Sequence, residues 1–302
     1  MYQVPDQRGQ YIVVTGANSG TGKEAAKRLA EAGADVILAV RTPAKGEQAK
    51  AEFLAAHPGA HVEVRELDLA DLSSVRAFST ALIDEGRPLD VLVNNAGVMN
   101  IPQRMESADG FELQLATNFL GPFALTVELL PLLLTARSPR VVTMSSGAAN
   151  WARIDFDDLQ SLRAYGPTRA YGQSKLADML MMTHLADLAT ERQWPLMSVG
   201  AHPGYTRTNL MTSGPNLGGG RPGFLEALAY KVIPSQDTEQ GSEPLLYAAA
   251  GRDAVNGGYY GPRWGLVGPA KVVSLPRPGR NKAAAARLWS EAEKLTGVSV
   301  NG

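Results

Sequence analysis

The chain has 302 residues, of which 44% are hydrophobic and 20% are charged, and its formal net charge is −1. Such a chain can bury a sizeable core, and it has no general electrostatic attraction to nucleic acid or to an anionic membrane. Cysteine is absent, which excludes disulfides, thiolate catalysis and cysteine-ligated zinc, and the four histidines form no metal-binding pattern.

The N-terminus is polar and reaches the first apolar run within about ten residues, which leaves no room for a signal peptide or a membrane anchor. The longest apolar region, residues 123–136, is shorter than the roughly 20 residues of a membrane-spanning helix. We therefore expect a cytoplasmic protein without a membrane anchor.

Apolar runs alternate with helical patterns through the first two thirds of the chain. The patterns predict six strands, at residues 11–15, 35–40, 61–67, 89–94, 140–145 and 196–201. They predict helices between these strands, at residues 22–32, 43–56, 73–85, 110–136 and 168–192. Such alternation is typical of a doubly wound parallel sheet with helices on both faces and a ligand crevice at the carboxyl ends of the strands.

The regular pattern stops after the sixth strand. Residues 205–236 are rich in glycine and proline, with one short helical pattern at 224–232. A long irregular segment at the mouth of a crevice indicates a substrate lid. Helices at 238–250 and 282–295 and a strand near 258–260 complete a single α/β domain, residues 1–302, with about seven strands.

A glycine-rich turn joins the first strand to the first helix. Thr15 is followed by Gly-Ala-Asn-Ser-Gly-Thr-Gly at residues 16–22. Glycines at this point permit a tight turn and let a pyrophosphate approach the backbone N–H groups of a helix N-terminus. The position after a buried strand favours a dinucleotide-binding loop over a plain turn.

The end of the second strand indicates which dinucleotide is bound. NAD-binding proteins normally have an acidic residue here for the ribose, but this chain has Arg41, with Lys45 close behind. A guanidinium pairs with a 2′-phosphate, which a carboxylate would repel, so we expect NADP(H) in preference to NAD(H). Asp68, after the third strand, is placed to meet the adenine amino group or to cap the helix that begins near Asp71.

Tyr171 and Lys175 lie one turn apart in the predicted helix at 168–192, so their side chains share a face. A positive charge beside a phenol favours the phenolate and lowers the phenol pKa, which suits a proton donor for carbonyl chemistry. The same spacing also fits an ordinary pair on a helix surface. Polar residues at other crevice positions, Asn95, Asn118 and Ser146, favour the catalytic interpretation.

Together these motifs resemble the short-chain dehydrogenase/reductase family over about residues 10–300. The chain has, in order, T-G-x-x-x-G-x-G at 15–22, N-N-A-G at 94–97, Asn118, Ser146, Y-x-x-x-K at 171–175 and P-G at 203–204. The 25 residues from Ser146 to Tyr171 resemble the insert of the retinol-dehydrogenase-like and WW-domain-oxidoreductase-like branch. The chain resembles a soluble bacterial-type member, without that branch's membrane anchor or WW module. Thr21 departs from the usual Ile or Leu.

The resemblance implies a Rossmann-type fold and a role for each catalytic residue. Tyr171 would exchange a proton with the carbonyl oxygen, and Ser146 would donate a hydrogen bond to the developing alkoxide. Lys175 would favour the phenolate form of Tyr171 and bind the nicotinamide ribose. Asn118 would hold a water that links Lys175 to solvent. Tyr171 and Lys175 would also contact the cofactor, together with Gly16, Asn18, Ser19, Gly20, Thr21, Gly22, Arg41, Asp68, Leu69, Asn95, Ala96, Gly97, Pro203, Gly204 and Thr206. Ser145 and His202 are interpreted as structural.

The residues predicted to line the substrate pocket are largely apolar: Met99, Trp151, Tyr205, Leu210, Met211 and Phe224. Such a lining favours a lipophilic aldehyde or ketone and the corresponding alcohol as the small-molecule substrate. The resemblance also makes a homodimer or homotetramer an expected assembly. Two alternatives stay open: a light-dependent protochlorophyllide-type reductase, disfavoured because cysteine is absent, and a catalytically idle NADP(H)-binding sensor, disfavoured because all four catalytic positions are intact.

Overall fold

The computed structural model describes residues 1–207 and 234–300. Within them lie eight strands: β1 Tyr11–Thr15, β2 Asp35–Val40, β3 His61–Glu66, β4 Val91–Asn94, β5 Arg140–Met144, β6 Met197–Ala201, β7 Tyr259–Pro262 and β8 Ala270–Val272. They form one sheet in the order β3-β2-β1-β4-β5-β6-β7-β8. β1 to β7 are parallel, and β8 pairs antiparallel with β7. The predicted doubly wound sheet is confirmed, with one strand more than predicted.

Seven longer helices accompany the sheet in the described residues: α1 Gly20–Glu31, α2 Pro43–Ala56, α3 Leu72–Glu85, α4 Gly121–Leu133, α5 Pro167–Glu191, α6 Thr238–Ala250 and α7 Lys282–Thr296. Buried residues of α3, α4, α5 and α7 form one core cluster with the sheet, and those of α1, α2 and α6 form a second. The helices therefore cover both faces, as the alternation of strands and helices predicts.

Alternate residues of the central strands belong to the two cores. In β1, Val13 packs in one cluster, whereas Ile12 and Val14 pack in the other. All three are fully buried. Each such side chain contributes roughly 1.5 to 3 kcal/mol of burial free energy, so the continuous apolar strands hold the polar turns at their carboxyl ends in fixed positions.

The predicted helix at 110–136 is interrupted. A short helical turn at Leu113–Leu115 is followed by a π-helical turn at Ala116–Leu120 and then by α4. The stretch Leu113–Leu133 is long and apolar enough to cross a membrane, but 83% of its most apolar window is buried inside the protein. This burial is what the core helix of a globular domain shows. Insertion of a π turn is frequent at functional sites, and here it carries Asn118.

The two ends of the predicted lid, residues 205–236, lie side by side. Thr206 forms a parallel bridge with Gln236, and the Gln236 side chain donates a 2.8 Å hydrogen bond from Nε2 to the Pro203 carbonyl. The backbone N–H of Tyr205 donates to the Leu266 carbonyl at 2.8 Å. The segment therefore leaves and rejoins the fold at the carboxyl end of β6. The helix predicted at 224–232 lies outside the described residues.

Candidate active site

A cleft of about 590 Å³ lies at the carboxyl ends of β1 to β4. Most of the residues predicted to bind the cofactor line it: Gly16, Asn18, Ser19, Gly20, Thr21, Arg41, Asp68, Leu69, Asn95, Ala96 and Gly97. Parallel strands place their carboxyl ends on the same edge of the sheet, which is why turns far apart in the sequence meet here. The structure thus brings these predicted residues together.

Two glycines give the loop between β1 and α1 its shape. Gly16 and Gly20 have φ values of 66° and 58°, in the left-handed region that residues with a Cβ rarely adopt. A Cβ on Gly16 would also lie 2.9 Å from the Cα of Ala96. Gly22 has another function, because a Cβ there would collide with the Asn95 side chain, so this glycine lies behind the loop and allows close packing.

The N-terminus of α1 faces the cleft. Ser19 occupies the N-cap position, and its side chain makes no capping hydrogen bond to the described residues. The N–H groups of the first helical turn have no partner within the helix, and together with the helix dipole they favour a bound anion. This end of the cleft is therefore suited to a pyrophosphate.

Thr15, Thr21 and Asn95 tie the glycine loop to the turn after β4. The Thr15 hydroxyl oxygen accepts hydrogen bonds from the N–H groups of Asn95 and Ala96, both at 3.0 Å. Asn95 donates from Nδ2 to the Thr15 carbonyl at 2.9 Å, and its Oδ1 accepts from the Thr21 hydroxyl at 3.0 Å. The residue that departs from the family pattern, Thr21, therefore adds a hydrogen bond between two walls of the cleft. The sequence did not reveal this arrangement.

The far end of the cleft carries Arg41 and Lys45, and both side chains are exposed. Asp68 lines the cleft between them and the loop, and its Oδ1 accepts a 2.9 Å hydrogen bond from the N–H of Ala70. The N-cap of α3 is Asp71, which accepts from the N–H groups of Ser73 and Ser74. The structure thus excludes Asp68 as the cap of this helix, and its contact with an adenine amino group stays a prediction.

A smaller cavity of about 150 Å³ adjoins the cleft, and Thr21, Asn95 and Gly97 line both. The remaining residues of the smaller cavity come from the ends of β5, β6 and α5 and from the turn after β4: Met99, Met144, Ser145, Ser146, Tyr171, Lys175, Pro203, Gly204, Tyr205 and Thr206. Three predicted catalytic residues, Ser146, Tyr171 and Lys175, therefore share one cavity that adjoins the larger cleft.

Lys175 is buried, and its ammonium is held by two acceptors. Nζ donates to the Met144 carbonyl at 3.0 Å and to Asp178 Oδ2 at 2.8 Å. Burial opposes the charge, but the carboxylate of Asp178 and the phenol of Tyr171 raise the pKa of Lys175 above its usual value. The lysine is therefore a fixed positive charge that acts on Tyr171. Asp178 was not predicted, although it lies three residues from Lys175 in an otherwise apolar part of α5.

The two serines after β5 have different functions in the structure. Ser146 is the N-cap of a short 3₁₀ turn, Gly147–Trp151, where its Oγ accepts a 3.2 Å hydrogen bond from the N–H of Ala148. The hydroxyl hydrogen of Ser146 remains available to a group in the cavity. Ser145 is buried and donates its hydroxyl to the Lys175 carbonyl at 2.7 Å, which anchors α5 to the sheet.

Asn118 connects three elements through its side-chain amide. Nδ2 donates to the Val98 carbonyl at 2.9 Å and to the Ser174 hydroxyl at 2.8 Å, while Oδ1 accepts from the N–H of Val98 at 2.7 Å. A Cβ on Gly97 would lie 3.1 Å from this Oδ1 and 3.5 Å from Lys175 Nζ. The amide therefore fixes the turn after β4 against α5, beside the lysine. Its predicted role in holding a water stays a prediction.

The predicted substrate-pocket residues divide into three groups. Met99 and Tyr205 line the smaller cavity. Trp151 does not, because it lies at the end of the 3₁₀ turn with 91% of its surface exposed. Leu210, Met211 and Phe224 lie outside the described residues.

His202, after β6, has a structural environment. Its Nδ1 accepts a 3.3 Å hydrogen bond from the N–H of Gly204, and its ring stacks on Tyr259 with 5.4 Å between centroids. Burial lowers the pKa of His202 to about 4, so the ring is neutral near pH 7. Among residues 1–207 and 234–300, no group of three or more acidic or histidine side chains could hold a metal ion.

Comparison with known proteins agrees with this geometry. Residues 10–216 match the family model for short chain dehydrogenases. The chain belongs to the short-chain dehydrogenase/reductase family. It is 36% identical to retinol dehydrogenase 12 of Bos taurus, over 96% of this chain and 87% of that protein. It is 37% identical to polyprenol dehydrogenase of Mus musculus, over 98% of this chain and 86% of that protein.

Solved structures show the same fold. An uncharacterised protein from Mycobacterium paratuberculosis has a TM-score of 0.80 and 40% identity, with 98% of this chain and 97% of that chain covered. A chain described as an NAD(P)-dependent gluconate 5-dehydrogenase from Beutenbergia cavernae, with bound NADP at low occupancy, has a TM-score of 0.64 and 26% identity, with 84% and 95% covered. The resemblance to the family and to its retinol-dehydrogenase-like branch is confirmed, and the chain is an oxidoreductase of an NAD(P)-binding family.

Proposed function

We propose that this protein is an NADP(H)-dependent oxidoreductase that interconverts a lipophilic aldehyde or ketone and its alcohol by hydride transfer. The observation that carries the proposal is that two cavities adjoin and share three lining residues. One is lined by the glycine loop and Arg41, and the other by Ser146, Tyr171 and Lys175. A dinucleotide that lay along the first would extend its reactive end toward the catalytic groups in the second.

The lining of the cleft supports NADP(H) as the cofactor. The first turn of α1 would hold the pyrophosphate, and Arg41 and Lys45 would hold the 2′-phosphate of the adenosine ribose. The relative from Beutenbergia cavernae with bound NADP supports this choice. When bound, the nicotinamide supplies a hydride in carbonyl reduction and accepts one in alcohol oxidation.

Three side chains would assist the reaction at the substrate oxygen, by transferring a proton, stabilising charge or donating a hydrogen bond. Tyr171 donates its phenolic proton to the carbonyl oxygen in reduction and takes it back in oxidation. The Lys175 ammonium stabilises the negative charge that Tyr171 gains. Ser146 donates its free hydroxyl hydrogen to the same oxygen, and this contact strengthens as negative charge develops there.

The lining of the smaller cavity supports a substrate with an apolar body. Met99 and Met144 contribute apolar surface, and Tyr205 adds an aromatic ring. Each CH₂ group buried in such a cavity contributes about 0.8 kcal/mol to binding. The two similar dehydrogenases are named for retinol and polyprenol, alcohols with long apolar chains.

The test is NADPH oxidation by the purified protein with straight-chain aldehydes of increasing length, a cyclic ketone and a short oxo acid. We expect kcat/KM to rise with chain length and NADH to be the poorer cofactor. A preference for the short, charged oxo acid would contradict the lipophilic class, and equal use of NADH would contradict the cofactor assignment. Tight NADPH binding without turnover of any carbonyl would favour the idle sensor instead.

A further inference from the structure

A carboxylate that the proposed chemistry does not use lies beside its essential lysine. Asp178 is 1% exposed, and its Oδ2 accepts the 2.8 Å hydrogen bond from Lys175 Nζ, which is itself 3% exposed. The other oxygen, Oδ1, has no hydrogen-bond partner among the described residues. A buried carboxylate with one oxygen unsatisfied is unfavourable for folding, and a well-packed apolar residue often stabilises such a position more. Stability alone therefore does not account for Asp178.

We infer that Asp178 is a positioning residue for the reaction proposed above: its carboxylate keeps the Lys175 ammonium charged and fixed beside Tyr171. This inference rests on the proposed function. Without an anion nearby, a buried lysine loses its proton more readily, and a neutral amine would no longer stabilise the phenolate. The Met144 carbonyl, the other acceptor of Lys175, carries no net charge to replace the carboxylate.

Among the residues that the structure describes, few ionisable groups surround the pair. On α5 itself, Lys175 acts directly on Asp178, and Tyr171 acts on Lys175. From β7, the neighbouring ionisable group is Tyr259, whose pKa is raised by burial and also by Asp178 and Tyr171. Tyr259 therefore stays neutral and does not compensate Lys175. Burial raises the pKa of Asp178 to about 7, so its carboxylate is charged in the alkaline range.

This arrangement has a consequence for the pH profile. Carbonyl reduction requires the charged Lys175 ammonium beside the proton donor, so loss of the Lys175 proton ends the active form. Removal of the negative charge of Asp178 lowers the pH at which the buried Lys175 ammonium loses its proton. The alkaline limb of kcat/KM for reduction must then shift to lower pH when Asp178 is neutralised.

The experiment measures kcat/KM for an aldehyde at saturating NADPH from pH 6 to pH 10 in three variants. Asp178→Asn keeps the size and the acceptor oxygen of the side chain but removes its charge. We expect the alkaline limb of this variant to lie about one pH unit or more below that of the wild type, which is a tenfold change in the apparent ionisation constant. Asp178→Glu keeps the charge and should keep the limb near the wild-type position, even where kcat falls. Met182→Leu, buried on the same helix, controls for packing and should leave the limb in place.

A limb that coincides in wild type and Asp178→Asn overturns the inference, and so does an equal shift in Met182→Leu.

A second measurement needs no turnover. The thermal stabilities of Asp178→Asn, Lys175→Met and the double variant form a cycle, and we expect the double variant to be less destabilised than the two single effects predict. Additive effects overturn the pairing. If Asp178→Asn alone does not fold, the double variant must restore folding. If the wild type reduces no carbonyl, the proposed function fails, while the cycle still decides the pairing.

Discussion

The nucleotide cleft and the catalytic cavity adjoin each other but are built by different means. The cleft takes its shape from backbone: glycines with positive φ, a helix N-terminus and turns held together by Thr15 and Asn95. The cavity takes its properties from buried side chains whose charges depend on one another, above all Lys175 and Asp178. A local sequence motif marks the glycines of the first, whereas the charges of the second depend on contacts that only the folded chain provides.

The sharpest way to separate the two regions is to remove the proton donor alone. Tyr171→Phe keeps the ring in the cavity but deletes the hydroxyl. We expect turnover of a carbonyl substrate to fall by about 10² to 10⁴, because general acid catalysis is lost, while NADPH still binds in the adjoining cleft. Steady-state kinetics and a fluorescence titration with NADPH measure the two effects. Near-normal turnover in this variant would show that Tyr171 is not the proton donor.

The complementary change disturbs the cleft and leaves the cavity intact. Arg41→Asp replaces the cation proposed to meet the 2′-phosphate with an anion. The affinity for NADPH should fall by about 2 kcal/mol, or roughly thirtyfold, while the affinity for NADH, which has no such phosphate, should fall much less. Lys45→Ala removes the second cation proposed to meet the 2′-phosphate without adding repulsion, so it should lower the affinity for NADPH less than Arg41→Asp and leave the affinity for NADH unchanged. Equal losses for both nucleotides in Arg41→Asp would contradict the proposed contact.

The difference between local backbone requirements and contacts between distant residues also explains which features the sequence predicts well. The tight turn of the glycine loop was predicted because positive φ values at Gly16 and Gly20 favour glycine, and this requirement is local. The ion pair of Lys175 with Asp178 was missed, although a carboxylate three residues away on an apolar helix was a visible signal. Tyr259 and the π turn that carries Asn118 had no such signal. The first meets Ser145 from a distant strand, and no local residue pattern marks the second, most of whose side chains are buried.

Strand β8 was missed for another reason. Its three residues, Ala270–Val272, lie at the sheet edge and are largely exposed. A strand of three residues is too short to show an alternating apolar pattern. The other edge strand, β3, has six residues in which Val62 and Val64 alternate with polar residues, and it was predicted although it is little buried. The central strands, buried on both faces, gave long apolar runs and were predicted within one or two residues at each end. Strand length and burial together thus set how much of a strand the sequence reveals.

The pH dependence of folding stability tests the pKa of His202, the residue that follows β6. Burial lowers the pKa of His202 to about 4, below the value near 6.5 of an unfolded histidine. Between these two values the unfolded chain binds more protons than the folded chain, so the contribution of His202 to stability is present above pH 6.5 and is lost as the pH falls toward 4. His202→Asn offers an acceptor oxygen to the N–H of Gly204 but does not titrate. Urea unfolding at pH 4.5 and pH 7 should show a stability difference smaller by on the order of 2 kcal/mol in the variant. An unchanged difference would mean that the environment of His202 does not lower its pKa.

The smallest effect is expected where the two regions meet, at Thr21. Its hydroxyl donates to Asn95 Oδ1 at 3.0 Å, and both residues line the cleft and the cavity. Thr21→Val keeps the shape of the side chain and deletes the hydrogen bond, which should cost about 1 kcal/mol of stability. NADPH affinity should fall less than fivefold, since Asn95 keeps its bond to the Thr15 carbonyl. Thr21→Ser is the control, because it retains the hydroxyl and should keep wild-type affinity within twofold. If Thr21→Val lowered kcat as strongly as Tyr171→Phe while NADPH binding stayed normal, Thr21 would act on the reacting atoms. The division between a cleft shaped by backbone and a cavity shaped by side chains would then be wrong at this residue.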